Sequence, residues 1–217
     1  MKSAPPKAKS WLSIETSSPQ VSLAYGEGDR CLRQVTQTEN ASKVIESLYH
    51  QLDVDFEAIH HCVISKGPGS YNGLRVGYAF LKGLLCLSPL PVIEVPTPLV
   101  LARAVPEPWN GSILILQNAR RGERYGALVR REGGILKIDW QQVASEATLS
   151  TRIPNDVAAV VSYDFQRNDL ALFTSYCWLQ LFPKAEIAAL TAHELNLPST
   201  QHLAEIEPHY VREPVAT

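Results

Sequence analysis

The chain predicts an α/β fold in two subdomains, each a mixed sheet flanked by helices. Three observations carry this. Apolar runs of strand length open the chain and then alternate with helical patterns. A proline-rich bridge, Val105-Pro106-Glu107-Pro108-Trp109-Asn110-Gly111, interrupts the pattern near its middle. The 217 residues are 45% hydrophobic and 19% charged, which suits one larger or two small globular cores and is too apolar for a disordered chain. The expected division is 1–105, carrying two prominent helices, and 106–217, whose tail from about 198 packs back on the first part.

Trp11 to Thr16 and Gln20 to Tyr25 read as strands separated by Ser17-Ser18-Pro19. Gly26-Glu27-Gly28-Asp29 turns the chain into a third strand, Arg30 to Gln37. Asn40 can cap a helix to about Leu52, with Ala41, Val44, Ile45, Leu48 and Leu52 at helical spacing. A strand at 61–65 leads into a glycine-rich turn, Lys66 to Ser70, and a helix at about 71–87. The strand Val92 to Val95 and a short helix near Pro98 to Ala104 complete this half. Past the bridge, Ile113 to Gln117, Arg124 to Arg131, Ile135 to Trp140 and Val157 to Val161 read as strands, and Leu170 to Phe182 as a helix. The opening order βββαβαβα is the plan of the ribonuclease-H-like layer shared by actin, Hsp70 and sugar kinases, an analogy of fold that carries no function alone.

The helix at 71–87 has too much apolar surface. At about 100° per residue, Leu74, Tyr78, Leu81 and Leu85 form one stripe and Val76, Phe80, Gly83 and Leu87 a second. A helix covering a sheet needs one such face, so the surplus calls for a second layer of this chain or a partner. Gly73 and Gly77, four apart, would admit a neighbouring helix. The expected partner surface is therefore Ala41, Val44, Ile45, Leu48 and Leu52 with Gly73, Leu74, Gly77, Tyr78, Leu81 and Leu85. The turn before the helix leaves N–H groups at the positive end of the helix dipole. Gly67, Gly69, Ser70 and Arg75 are the candidate anion- or nucleotide-binding residues, against the alternative of a turn that merely fits helix to sheet.

Several chemistries are excluded. The net charge of −2 gives no basic surplus for nucleic-acid binding by this chain alone. Cys31, Cys62, Cys86 and Cys177 are scattered, two of them in apolar segments, which points to buried free thiols and to no disulfide or zinc framework. The first nine residues lack the apolar core of a signal peptide, and no stretch is long enough to cross a membrane, so a cytoplasmic protein is expected. His60 and His61 point to opposite faces of a strand, with no third metal ligand at a sensible spacing. His193, His202 and His209 are expected on the surface, and Glu46 and His50 as a weak surface pair. Glu15 and Glu46 could fill two places of a two-metal nuclease, but the strand at 61–65 ends without an acid. No Lys-Ser/Thr follows Gly73, so the turn is no Walker loop. No metal site and no catalytic residue is expected.

Four segments resemble the TsaB (YeaZ) family: Leu12-Ser13-Ile14-Glu15-Thr16-Ser17 with Val21-Ser22-Leu23-Ala24; Gly67-Pro68-Gly69-Ser70-Tyr71-Asn72-Gly73-Leu74-Arg75-Val76-Gly77; Asn118-Ala119-Arg120-Arg121-Gly122-Glu123-Arg124-Tyr125; and Glu207-Pro208-His209-Tyr210-Val211-Arg212. The second is the most specific, the family's usual form being Gly-Pro-Gly-Ser-Phe-Thr-Gly-Leu-Arg. The resemblance implies an actin-like two-domain fold and a non-catalytic scaffold that pairs, through its first two helices, with the catalytic paralogue TsaD. That complex, with the ATPase TsaE, places threonylcarbamoyl on adenosine 37 of tRNA, and this chain would meet tRNA only within it. The resemblance implies no cofactor of the chain's own, with ATP or ADP at the partner interface as the exception. The family's Ile-Asp-Thr is here Ile14-Glu15-Thr16, and its Asp-Ala-Arg is Asn118-Ala119-Arg120, changes that bear on nucleotide binding more than on partners. The alternatives are an actin-like enzyme that binds or hydrolyses nucleotide, transferring phosphoryl or carbamoyl groups, and a self-associating homodimer with a separate role.

Overall fold

The computed structural model describes residues 9–210 apart from Asn110. The N-terminal segment up to Ala8 and the motif residues Val211 and Arg212 lie outside the described residues, as does the Leu87 side chain. Two mixed sheets organise the chain. The first has the order β11-β5-β4-β1-β2-β3, made of β1 (Ser10–Glu15), β2 (Gln20–Glu27), β3 (Arg30–Thr38), β4 (His61–Gly67), β5 (Val92–Pro96) and β11 (Ser199–Thr200). β1 runs antiparallel to β2 and parallel to β4, so it sits at the centre. All six of its residues are buried because both faces of the sheet are covered. Leu12, Ile14, Cys62 and Ile64 point to one face and Trp11 and Val63 to the other, as strand alternation requires.

The helices α1 (Ala41–Leu52) and α2 (Tyr71–Leu87) cover the first of these faces. Asn40 caps α1, its Oδ1 accepting from Ser42 N–H at 3.2 Å, and Asp53 ends it in left-handed backbone. Ser70 caps α2 by accepting from Gly73 N–H at 3.2 Å. This packing corrects the expected partner surface. Ala41, Val44, Ile45, Leu48 and Leu52 of α1 and Leu74, Tyr78, Leu81 and Leu85 of α2 are at most 6% exposed, and these side chains are the core itself. Gly73 and Gly77 likewise face inward: a Cβ at Gly73 would stand 2.1 Å from Thr16 O, and one at Gly77 2.3 Å from Thr16 Oγ1. The close approach they permit is to the end of β1, not to another molecule. Of the second stripe, Val76 and Phe80 are half-buried, and the Phe80 ring meets Tyr49 of α1 at 5.5 Å, edge to face. What stays open on α2 is a narrow strip of Ala79, Gly83 and Cys86, with Arg75 near its start.

After α3 (Thr97–Arg103) and the bridge, the second sheet forms in the order β10-β9-β6-β7-β8, from β6 (Ser112–Asn118), β7 (Arg124–Glu132), β8 (Ile135–Ala144), β9 (Val157–Ser162) and β10 (Trp178–Gln180). The helix expected over Leu170 to Phe182 is absent. Leu170, between two single 3-10 turns, and Phe173, in the second of them, are wholly buried, Cys177 O accepts from Val160 N–H at 2.7 Å, and the chain continues as β10 beside β9. Anchoring two large side chains of a short loop, then pairing its end to a strand, outcompetes a helix there. Between β8 and β9 lies a short helix, α4 (Glu146–Ser150).

The longer helix of this region is α5 (Ala185–Glu194), which sequence reading missed. Its buried face is Ala185, Ala188, Ala189, Thr191 and Ala192, small residues that give little hydrophobic signal but let the helix lie close on the second face of the first sheet, against Trp11, Ala24, Val63 and Val95. The return to the first sheet thus begins at α5, earlier than the expected 198, and β11 then adds to the edge of β5.

Candidate binding cleft

The carboxyl ends of β1, β4 and β6 converge between the two sheets, the position at which open α/β sheets present their loops to ligands. A cleft of about 430 Å³ lies there, bordered by Ser17 after β1, Gly69 and Ser70 after β4, Asn118 to Arg121 after β6, and Tyr163 and Asp164 after β9. Tyr163 ties the sheets together: its hydroxyl donates to Ser17 O at 3.1 Å and accepts from Gln117 Nε2 at 2.9 Å. Burial pushes the Tyr163 phenol well above its usual range, so it remains a neutral donor. The chain also closes one side with its C-terminal segment. His209 N–H donates to Lys66 O at 2.7 Å, and the Tyr210 ring meets Tyr71 at 4.9 Å.

The glycine turn is fitted to this arrangement. Gly67 has φ +101, and a Cβ there would stand 2.9 Å from both His209 O and Leu74 Cδ1. At Gly69 a Cβ would be 2.2 Å from Ser17 O, which already accepts the Ser70 N–H at 2.6 Å. One N–H expected for an anion is therefore bonded within the protein, and the Ser70 hydroxyl is engaged as the helix cap. Of the four candidate anion residues, Gly69 and Ser70 border the cleft, whereas Gly67 and Arg75 do not. The Arg75 guanidinium stands instead 5.4 Å from the Tyr71 ring centre.

Glu15 ends β1 where kinases of this fold carry a metal-orienting aspartate. It is fully buried and does not border the cleft. Its Oε1 accepts from Ser17 N–H at 2.6 Å and its Oε2 from the Ser65 hydroxyl. Burial raises its pKa above 4.5, while the two hydrogen bonds oppose the rise. Asn118 Oδ1 accepts from Arg120 N–H at 2.8 Å, so this position shapes the loop and supplies no charge. Asp164, which accepts through Oδ2 from Asn118 N–H at 2.9 Å, is the sole carboxylate on the cleft lining among the described residues. These residues do not fit the metal–nucleotide pair that actin-like enzymes hold with several acids.

Among the described residues no group of three or more His, Cys, Asp or Glu could hold a metal. The histidines nevertheless depart from expectation in one place. His193 is half-buried and its Nε2 lies 2.9 Å from Nε2 of His61, tying α5 to the start of β4. Burial, with the neighbouring His193, holds the His61 pKa down to about 4. Glu46 and His50 form an exposed pair at 3.9 Å. All four cysteines are free; Cys62 is buried, with its thiol pushed up to about 12, while Cys86 is exposed despite its apolar surroundings in sequence. Sequence reading singled out the segment holding Arg120 and Arg121 but missed that both line the cleft along with Tyr71 and Tyr210, because that placement depends on how the sheets are docked.

No helix among the described residues is long and apolar enough to cross a membrane. Residues 35–175, more than half of the chain, match the family model described as TsaD, tRNA N6-adenosine threonylcarbamoyltransferase. The tRNA threonylcarbamoyladenosine biosynthesis protein TsaB of Haemophilus influenzae is 27% identical, with 94% of each chain aligned. The proteins of the same description from Bacillus subtilis and Escherichia coli are 28% and 29% identical, and the chain spans 57% and 64% of their lengths. YeaZ from Pseudomonas aeruginosa superposes with a TM-score of 0.77 at 19% identity, over 93% of this chain and 99% of that one. The ethanolamine utilization protein EutJ from Carboxydothermus hydrogenoformans gives 0.52 at 9% identity, covering 88% and 91%. The fold is actin-like, and the chain belongs to the threonylcarbamoyltransferase-related family of this model, in its TsaB/YeaZ branch.

Proposed function

We propose that this chain acts in the biosynthesis of threonylcarbamoyladenosine at position 37 of tRNA as a scaffold, pairing with a TsaD-like catalytic paralogue and doing no chemistry of its own. The observation that carries the reading is Glu15, buried, hydrogen-bonded on both oxygens and off the lining of a cleft that holds one carboxylate among the described residues. The names of the relatives support the pathway, and the net charge of −2 supports contact with tRNA only through a partner. A TsaE-like ATPase is the third component of this reading. The pairing surface is the outer side of α1 and α2, within residues 1–105. Ala79, Gly83 and Cys86 leave a shallow strip there, flanked by half-buried Tyr49 and Phe80, over which a partner helix can approach closely.

Gly83 is exposed and a Cβ there would meet nothing within 4 Å, so a large residue is tolerated by the isolated fold. Gly83→Arg should weaken association with the TsaD-like paralogue about a hundredfold, from steric separation of the helices and a buried charge. Light scattering after size exclusion, on the mixed and separate proteins, measures it. The tRNA content of threonylcarbamoyladenosine in cells carrying only the variant should fall in parallel. Unchanged association with a folded variant would overturn the assignment of the surface. If the variant instead abolishes dimers of this chain while leaving the paralogue bound, self-association is what the strip serves.

A further inference from the structure

We propose that His61 and His193 form a binding site for a divalent transition-metal cation that favours imidazole ligands, nickel(II) or copper(II), which clips the last turn of α5 to the start of β4. The two rings come from distant parts of the chain, 132 residues apart, yet their Nε2 atoms stand 2.9 Å from each other. The rings are tilted by 60° with centres 5.1 Å apart, so they converge edge first and do not stack. Imidazole nitrogens bind such cations at about 2.0–2.1 Å, and two bound at a right angle, as in square-planar or octahedral coordination, then lie about 2.9 Å apart. The separation of the two nitrogens therefore suits one shared ion as it stands.

The surroundings orient the rings for this. Trp11 meets the His193 ring edge to face, with centres 6.0 Å apart. His193 Nδ1 is buried without a hydrogen-bond partner, and the Gly28 carbonyl, which accepts from Trp11 Nε1–H at 2.9 Å, lies beside the ring. A carbonyl there favours the tautomer with its proton on Nδ1, which leaves a lone pair on Nε2, the usual state of a metal-bound histidine whose outer nitrogen faces an oxygen. In the metal-free pair His61 Nε2–H donates to that lone pair. When the ion enters, the His61 proton moves to Nδ1, both rings stay neutral, and no proton is lost. Burial already keeps both rings in this neutral, ligating form at neutral pH. The nearby charges oppose each other, Asp29 acting on His193 and Lys9 on His61. His60 is no third ligand, because its Nδ1 is engaged 2.7 Å from Ser10 Oγ. With two protein ligands the remaining positions fall to water, so the site is exchangeable, unlike a closed structural zinc centre. Its effect is mechanical. Clips that close long loops stabilise most, and this one would hold down the helix that covers Trp11 and Val63.

The test is calorimetric titration of the untagged full-length protein at pH 7.5 with nickel chloride, and with magnesium chloride as the control that prefers oxygen ligands. Nickel should bind saturably at one site and magnesium should not bind. At about a hundred times its dissociation constant, nickel should raise the melting temperature by roughly 5–10 °C. H61Q and H193Q should each weaken nickel binding at least about tenfold and remove the thermal shift, with circular dichroism unchanged, whereas H50Q should alter neither. In the wild type, paramagnetic nickel should broaden the ring signals of His61 and His193 before those of His50, His202 and His209, a readout that needs no variant. Absence of saturable binding would leave the pair a hydrogen bond only and overturn the proposal. So would affinity unchanged by H61Q and H193Q, or first broadening at any other histidine.

Discussion

The three glycines of α2 offer a graded test of what this helix touches. In open helix, Gly→Ala stabilises by about 0.5–1 kcal/mol through propensity and a less flexible unfolded chain. Gly83 meets that condition, since nothing lies within 4 Å of its would-be Cβ. For Gly83→Ala the expected rise in melting temperature is about 1–4 °C at this chain length. At Gly73 the Cβ would lie 2.1 Å from Thr16 O, a backbone atom that cannot swing aside. Relieving that contact moves the helix start away from β1, at an overpacking cost of about 1–3 kcal/mol. It also strains the 2.6 Å bond from Ser70 N–H to Ser17 O, which adds about 1 kcal/mol. Gly73→Ala should therefore destabilise by about 2–3 kcal/mol, after its smaller propensity gain in the first turn. Gly77 falls between, because its nearest neighbour is the unpartnered Thr16 hydroxyl at 2.3 Å, which can rotate. Urea unfolding of dilute protein, followed by circular dichroism, gives all three values. A Gly73→Ala variant within 0.5 kcal/mol of wild type, or a destabilised Gly83→Ala, would refute the inward placement of Gly73 and the open placement of Gly83, a margin set by ordinary surface substitutions of about that size.

Other perturbations test the buried polar groups. Glu15 has a pKa raised above its unfolded value of 4.5, so its contribution to stability is full below pH 4.5 and lost as pH rises through the raised value. Glu15→Gln should thus gain on wild type with rising pH, and a pH-independent difference in urea midpoints would refute this. His61 has the opposite sign: held at about 4 against 6.5 when unfolded, it favours the fold fully above 6.5 and loses that contribution as pH falls towards 4. His61→Gln should flatten the acid limb of the stability profile; an unchanged slope would sink the idea. Tyr78 donates to Glu94 Oε1 at 2.6 Å while Lys66 Nζ lies 3.1 Å from Oε2, and Tyr78→Phe should cost about 1–3 kcal/mol of unfolding free energy. A loss below 0.5 kcal/mol, the ordinary surface margin of about that size, would show the bond to be dispensable.

The first half of the fold was legible because its signals are strong and local. Asn40, the spacing of Val44 to Leu52 and the Gly-rich turn each specify their own element. What sequence could not settle was direction. The periodicity of α2 identified an apolar face but not what would cover it, and Leu74, Tyr78, Leu81 and Leu85 turned out to cover the sheet. The surplus stripe was real, and α1 shields part of it through Tyr49 and Phe80. In the second half α5 was hidden by its alanines, whose packing is decided by closeness and not by hydrophobic contrast. The cleft was half legible. Ser17, Gly69 and Asn118 stood in recognisable segments, but nothing in the sequence singled out the opposing Tyr163 and Asp164, and only sheet docking brings them together.

The placement of α5 has a consequence for how the chain is made. The centre of the first sheet is synthesised early, yet the face bearing Trp11, Val63 and Val95 is covered by a helix that begins at Ala185. At about 5–20 residues per second, an emerging chain would hold that face without its cover for roughly ten seconds. The early half must therefore wait, with an apolar face open, until Ala185 to Ala192 appear. A ribosome-bound nascent chain stalled before Ala185 should be protease-sensitive in its first sheet, and one that has released Leu195 should not. Protection already complete in the shorter chain would mean that the early half folds without its cover.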